Sequence, residues 1–157
     1  MNLSVHSLYF SYQAAPLLRD LDFSLDTGSF VCVLGKNGAG KSTLFQCILN
    51  LQKNYTGMIS LDGQNVKALK EKELAKSIAY IPQLHKQSFP FSVFDTVLMG
   101  TAASLSPFST PKEAQKEAAM EALHLMGMEK YASRSFSHLS GGEQQMVLIA
   151  RALAQKA

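Results

Sequence analysis

Eight consecutive residues, GKNGAGKS at positions 35–42, have the residue types and spacing of a phosphate-binding loop. They satisfy the pattern GxxxxGK[ST] and lie between a short apolar run and a helical pattern, which is the context that the motif requires. Glycines let the loop turn its amide hydrogens inward, and the following helix adds the positive end of its dipole. Lys41 supplies a charge for the β and γ phosphates, and the hydroxyl of Ser42 can bind magnesium. The sequence therefore predicts a nucleoside triphosphate site.

Two side chains outside the loop are suited to the same chemistry. Tyr12 precedes the loop in the stretch YFSYQAAPLL, where an aromatic ring is either a stacking surface for a purine or an ordinary strand residue. Gln83 follows the apolar run IAYIP. If that run is a buried parallel strand, the amide of Gln83 lies at the carboxyl edge of the sheet and can contact magnesium or a water beside the γ phosphate. The alternative for Gln83 is a plain loop residue.

The segment LSGGEQQ at positions 139–145 predicts a helix start with open amide donors. We expect Ser140 to be the N-cap and Glu143 to complete a capping box. The amides and the positive dipole end of such a start form an anion site, although a well-capped helix without a ligand fits the same residues.

Composition indicates one globular domain. The chain has 157 residues, of which 46% are hydrophobic, and a net charge of +3 without a run of five like charges, which does not by itself indicate nucleic-acid binding. Cys32 and Cys47 lack metal-binding spacing, and we predict two buried thiols in a reducing cytoplasm. No stretch approaches the ~20 apolar residues that span a bilayer, so we expect a soluble chain.

The elements that must position these residues follow from periodicity. Alternating residues predict antiparallel strands near 3–12 and 21–25, and a strand at 57–61 enters the turn Asp62-Gly63. The apolar runs FVCVL (30–34) and IAYI (78–81) predict parallel strands covered on both faces. Helical patterns occupy five stretches: 41–51, 69–77, 93–99, 111–126 with Pro111 in the first turn, and the run from Gly141.

In their order and approximate spacing, the motifs around Tyr12, 35–43, Gln83 and 139–145 resemble the A-loop, Walker A, Q-loop and signature motif of ATP-binding cassette (ABC) proteins. The resemblance covers the whole chain and implies an α/β fold, that of a P-loop NTPase (ABC ATPase). Its expected parts are an antiparallel β subdomain (1–30), a partial RecA-like parallel core with the P-loop and Q-loop (31–88), and a helical subdomain with the signature helix (89–157).

The resemblance also implies the ligands and their contacts. ATP and Mg²⁺ are the expected cofactors, and they are expected to bind in a head-to-tail homodimer or pseudodimer. Lys41 and Gln83 are the expected catalytic residues, and Ser42 and Gln83 are the expected ligands of the metal ion. Closure of the dimer on ATP and its reopening on hydrolysis would form a two-state switch. The residues expected to bind ATP are Tyr12, Gly35, Asn37, Gly38, Ala39, Gly40, Lys41, Ser42, Thr43 and, on the partner's nucleotide, Ser140, Gly141 and Gly142.

The stretch FPFSVFDTVLMG at 89–100 looks like that of importer ATPases for iron chelates, haem, cobalamin and related metal complexes. Its apolar residues are either a hydrophobic dock or packing of the helical subdomain onto the sheet. The implied partners are integral membrane permease subunits and a substrate-binding protein, without nucleic acid, and the implied location is the cytoplasmic face of the cell membrane. The alternatives are a soluble ABC ATPase of iron-sulfur assembly, translation or repair, and a nucleotide-binding module without turnover.

Several family motifs lie beyond the given residues. The Walker B aspartate, the catalytic glutamate, the D-loop and the switch histidine of the family have no counterpart in the 157 residues. We therefore expect a domain that is incomplete at the C-terminus, poorly folded alone because two apolar strands lack neighbours, and without appreciable hydrolysis, since the magnesium carboxylate and the base are missing.

Overall fold

The structure is a computed structural model that describes residues 2–13, 15–83, 91–106 and 109–157. Two compact units emerge, Met1–Leu74 with the sheet and the phosphate-binding loop, and Ala75–Ala157 with most of the helices. The three-part division into 1–30, 31–88 and 89–157 stays a prediction.

The first unit contains an antiparallel sheet, as the alternating residues predicted. Its strands are β1 (Leu3–Phe10), β2 (Leu18–Leu25), β3 (Thr56–Leu61) and β4 (Gln64–Asn65), in the order β2-β1-β3-β4. The side chains of Val5, Leu8 and Ile59 are fully buried. Between β3 and β4, Asp62 and Gly63 both have positive φ, 49° and 78°, as a two-residue turn of the type I′ class requires.

The helix α1 (Lys41–Ile48) follows the phosphate-binding loop directly. Its buried face consists of Thr43, Leu44, Cys47 and Ile48, which confirms the predicted burial of Cys47. The helix ends three residues before the predicted end at residue 51, because Asn50 adopts φ 56° and starts a Schellman cap. The amides of Asn50 and Leu51 donate to the carbonyls of Cys47 and Gln46, at 3.0 and 2.9 Å.

Both predicted parallel strands are wrong for the described residues. Segments 30–34 and 78–81 have no strand conformation, and Phe30 and Leu34 are 91% and 89% exposed. A strand persists only where its backbone groups pair with a neighbour, and within the described residues neither segment has a ladder partner. Cys32 is exposed for the same reason, so its predicted burial is wrong.

The second unit is helical, as predicted. It contains the end of α2 (Glu71–Ser77), then α3 (Val93–Leu98), α4 (Glu113–Leu125) and α5 (Gly141–Ala154), with 3₁₀ turns at Met99–Ser104, Glu129–Tyr131 and Phe136–His138. The helix α4 starts after Pro111 rather than with it, because Lys112 takes the N-cap position. The apolar core of the unit comprises Val93, Val97, Ala119, Ala122, Leu123, Met128, Phe136, Leu139, Val147, Leu148, Ala150 and Ala154.

Within the described part of the segment 89–100, Val93 and Val97 belong to this helical core. Val93 and Val97 are fully buried and Phe94 packs against them and their neighbours, whereas Phe91 is 36% exposed. An exposed dock is therefore wrong for Val93 and Val97, whereas for Phe91 it stays a prediction. Phe89 lies outside the described residues. Among the described helices, none is long and apolar enough to cross a membrane.

Candidate functional site

The phosphate-binding loop leads into α1 through a left-handed glycine. Gly40 is the N-cap with φ 93°, a conformation that residues with a Cβ rarely adopt. A Cβ at this position would also lie 2.8 Å from Leu18 Cδ2 and 3.1 Å from Leu17 Cγ. The glycine therefore lets the loop pass closely over β2 and its preceding residue before the helix begins.

The start of α1 leaves a row of amides open. The first helical hydrogen bond runs from Leu44 N to Gly40 O at 2.8 Å, so the amides of Lys41, Ser42 and Thr43 have no helical acceptor. Among the residues that the structure describes, no side chain caps this end, and its first turn contains no acidic residue. Unpaired amides and the positive dipole end together favour an anion here.

The charge of Lys41 lies within the loop. Its Nζ donates to the carbonyl oxygens of Gly35 at 2.7 Å and of Lys36 at 2.9 Å. The Ala39 amide also donates to Lys36 O, at 3.2 Å, and tightens the turn. The ammonium group is therefore held by the loop that precedes α1, and the exposed Ser42 lies at the start of that helix.

Tyr12 lies beside α1 rather than in a strand. The strand β1 ends at Phe10, whose ring meets the Tyr12 ring edge-on at 4.8 Å and 86°. The Tyr12 hydroxyl is 3.4 Å from Thr43 Oγ1 and donates to Gln46 Oε1 at 3.3 Å. The side chain is 60% exposed, so its ring has a free face next to the helix start. The strand-aromatic alternative is wrong, and base stacking stays a prediction.

Sequence reasoning missed Gln46 and Phe10 as supports of Tyr12. Gln46 follows Thr43 by three residues, the spacing that places two side chains on one helix face, and this was the available signal. The contact between Phe10 and Tyr12 depends on the turn after β1, which the sequence pattern does not define.

Gln83 follows Pro82 as an exposed residue of the second unit. Its predicted place at the edge of a parallel sheet is wrong for the described residues, because segment 78–81 is not a strand. A contact of Gln83 with magnesium or water stays a prediction.

The signature segment, residues 139–145, starts α5 with a complete capping box. Ser140 Oγ accepts from the Glu143 amide at 3.4 Å, and Glu143 Oε2 accepts from the Ser140 amide at 2.8 Å and from its hydroxyl at 2.7 Å. The hydrogen bonds from Ser140 hold the pKa of Glu143 below its ordinary value, and those from Tyr131 and the charge of Arg134 act in the same direction. The capping prediction is confirmed.

Two amides at the start of α5 nevertheless remain open. Gly141 and Gly142 precede the first internal hydrogen bonds, and within the described residues their N–H groups have no acceptor. Nothing lies within 4 Å of a Cβ placed on either glycine. The structure thus brings Ser140, Gly141 and Gly142 together on an exposed surface of the second unit, where the two glycine amides are open and both donors of Ser140 are bound by Glu143.

Comparisons with known proteins fit this geometry. The family model described as ABC transporter matches residues 18–157. An uncharacterized ABC transporter ATP-binding protein of Haemophilus influenzae is 41% identical over 157 residues, which is 100% of this chain and 60% of that protein. A probable iron chelatin transport ATP-binding protein of Helicobacter pylori is 40% identical over 157 residues, which is 99% of this chain and 62% of that protein.

A solved structure agrees in fold and sequence. It is described as an inward-facing conformation of a metal-chelate type ABC transporter, and it superposes with a TM-score of 0.83 and 38% identity over 98% of this chain and 56% of that chain. The chain thus spans about three fifths of the length of these relatives.

Proposed function

The chain belongs to the ABC transporter family, and from this premise we propose that it is part of the ATP-binding subunit of an importer, with the triphosphate held by residues 35–43. One observation carries the proposal: the uncapped start of α1, where three amides are open and Lys41 Nζ lies in the loop. These groups suit a polyphosphate, since open backbone donors and a lysine charge belong to the same loop and the helix start that follows it.

The remaining nucleotide contacts follow the same residues. Tyr12 stacks on the adenine, and Asn37, Gly38 and Ala39 turn the loop around the β and γ phosphates. Magnesium would be held by the Ser42 hydroxyl, the phosphate oxygens and Gln83, and it would neutralise charge on the phosphates. Within the described residues no group of three His, Cys, Asp or Glu side chains could hold a metal ion.

We infer that each nucleotide is shared between two subunits. The open amides of Gly141 and Gly142, together with Ser140 once its donors are released from Glu143, would bind the γ phosphate held on the loop of a second, identical cassette. Binding of ATP closes this dimer and hydrolysis by the whole protein opens it. Residues 1–157 alone would bind Mg-ATP without releasing phosphate, because no carboxylate among them matches Walker B or the catalytic glutamate.

The names of similar proteins support a proposal for the cargo. One relative is named for iron chelatin transport and the structural neighbour for a metal chelate. We propose import of an iron chelate, haem, cobalamin or a similar metal complex, with permease subunits that hold this protein at the cytoplasmic face of the membrane and a substrate-binding protein outside. Nucleic acid is not among the proposed partners.

Binding of a fluorescent ATP analogue with Mg²⁺ tests the nucleotide site. Lys41→Met should weaken binding about 10- to 100-fold, because a charge-assisted contact to phosphate is lost. Lys53→Met, at an exposed lysine of the same unit, is the matched control and should bind as the wild type does. Equal binding by the wild type and Lys41→Met would contradict the proposal.

Purification from membranes in mild detergent tests the transport role. We expect an integral membrane permease to copurify with the protein encoded by the gene. Recovery with ribosomes or soluble assembly factors alone would contradict import and favour the soluble ABC ATPase alternative.

A further inference from the structure

Gln155 follows the last residue of α5 and makes two hydrogen bonds that the proposed nucleotide site does not use. Its side-chain amide Nε2 donates to the carbonyl oxygen of Ala75 and, at 2.9 Å, to that of Ile78. The partners are 80 and 77 residues away in sequence and belong to the same compact unit. The contact therefore joins two distant stretches of the chain within the second unit.

The chemistry of this contact depends on a neutral amide. Ala75 lies in the last turn of α2, and Ile78 follows the end of that helix, where carbonyl oxygens lack helical donors. A glutamine amide has two N–H groups, one for each carbonyl. Gln155 is only partly exposed, so water does not freely replace it. The side chain acts as a C-terminal cap for α2.

Gln155 follows the C-terminal end of α5, and the signature segment lies at the N-terminal end of the same helix. The helix α5 has 14 residues, a length of ~21 Å, and its buried residues include Val147, Leu148 and Ala150. A packed helix of this kind moves as one body. On the other side of the contact, the chain runs from Ile78 to Gln83 without a helix or strand to fix it.

We propose that Gln155 is a positioning residue that holds segment 78–83 to the signature helix, so that engagement of a phosphate by Ser140 also sets the position of Gln83. The inference rests on the proposed function, because it assigns Gln83 and Ser140 to the same nucleotide-dependent cycle. It adds a physical link between them, formed by α5, the amide of Gln155 and the carbonyls of Ala75 and Ile78.

Three substitutions separate this role from simple stability. Gln155→Leu removes both donors at similar size, and Gln155→Glu places a carboxylate against two carbonyl oxygens. Gln155→Lys restores donors and adds a cation at the C-terminal end of α2, where positive charge is favourable. Gln64→Leu, at an exposed glutamine of β4, is the matched control.

Hydrogen exchange by mass spectrometry on the protein as its gene encodes it, with and without Mg-ATP, is the experiment. In the wild type, Mg-ATP should slow exchange both in 139–145 and in 79–83. In Gln155→Leu and Gln155→Glu, the protection of 79–83 should fall about tenfold, as for a lost hydrogen-bonded contact, while ATP affinity is retained. The kcat of hydrolysis should fall with KM unchanged, and Gln155→Lys should restore both readouts.

The outcomes are distinct. Full protection of 79–83 in Gln155→Leu, failure of Gln155→Lys to rescue, or an equal loss in Gln64→Leu would overturn the positioning role while leaving ATP binding in place. Failure of the wild type itself to bind Mg-ATP would contradict the proposed function, and the positioning role with it.

Discussion

At the residue scale, the helix starts of α1 and α5 are the two candidate phosphate-binding sites. They differ in whether a side chain already accepts hydrogen bonds from their donors. In the described part of the chain, no side chain accepts from the amides at the start of α1, where Lys41 adds positive charge to the loop. At α5 the carboxylate of Glu143 accepts from both the amide and the hydroxyl of Ser140. A phosphate that binds Ser140 must therefore displace or tolerate a negative charge, whereas one that binds α1 need not.

Glu143 should make folding of the second unit depend on pH. Because its pKa is lowered in the folded protein, its charge stabilises the fold fully above the ordinary carboxyl range, and this contribution is lost as pH falls through the lowered pKa. Thermal unfolding of wild type and Glu143→Gln should therefore differ most near neutral pH and converge in acid. Glu117→Gln, at an exposed position of α4, controls for the loss of one charge. A difference that does not shrink in acid would contradict this expectation.

Tyr12 should contribute to ATP affinity through its ring. Stacking of a base on an aromatic side chain is worth ~1–3 kcal/mol, so Tyr12→Ala should weaken ATP binding about tenfold or more while Tyr12→Phe retains most of it. Tyr9→Ala, at a 43% exposed tyrosine of β1, is the control. If Tyr12→Ala binds ATP like the control, the tyrosine serves only to pack beside Phe10.

At the element scale, α5 serves several roles at once. Its first turn presents Gly141 and Gly142, its middle supplies Val147, Leu148 and Ala150 to the core, and its end is followed by Gln155. Such a helix is held tightly by its neighbours, and one close approach occurs at Gly100 in the 3₁₀ turn after α3. A Cβ on that glycine would overlap the carbonyl oxygen of Arg151.

Gly100→Ala should therefore destabilise the second unit. Overpacking against backbone that cannot move costs ~1–3 kcal/mol, which a denaturant titration followed by circular dichroism can measure. Gly141→Ala, where a Cβ meets nothing within 4 Å, should leave the free energy of unfolding nearly unchanged. Equal stability of the two variants would show that α5 is free to shift away from the turn.

At the scale of the whole molecule, the candidate site residues are divided between two units. Tyr12 and the phosphate-binding loop belong to Met1–Leu74, whereas Gln83 and the signature segment belong to Ala75–Ala157. The proposed sharing of each nucleotide between two subunits makes this division functional, because one subunit's loop then needs another subunit's Ser140, Gly141 and Gly142.

Mixed dimers test this sharing. Lys41→Met impairs the loop and Gly142→Val the signature segment, so each variant alone should hydrolyse ATP slowly in the gene-encoded protein. A mixture forms dimers in which one intact loop faces one intact signature segment, and hydrolysis should rise above that of either variant. Activity of the mixture no greater than the average of the two would contradict a shared site. Lys53→Met mixed with Gly142→Val is the control for subunit exchange.

The sequence by itself determined the parts that depend on local chemistry. Alternating residues predicted the strands β1 and β2, Asp62-Gly63 predicted the turn, and Ser140 with Glu143 predicted the cap of α5. The turn and the cap depend only on neighbours a few residues away, whereas the pairing of β1 joins residues far apart in sequence, such as Leu3 with Leu61. The glycine spacing of the loop likewise predicted that a helix begins at Lys41, as α1 does.

Only the tertiary structure decided the rest. The apolar run 30–34 is exposed because a strand depends on a partner that its own residues do not supply. The place of Tyr12 beside Thr43 and Gln46, and the capping of α2 by Gln155, depend on contacts across 31 to 80 residues. Periodicity and motif spacing describe single elements, whereas the positions of these side chains depend on how elements pack against one another.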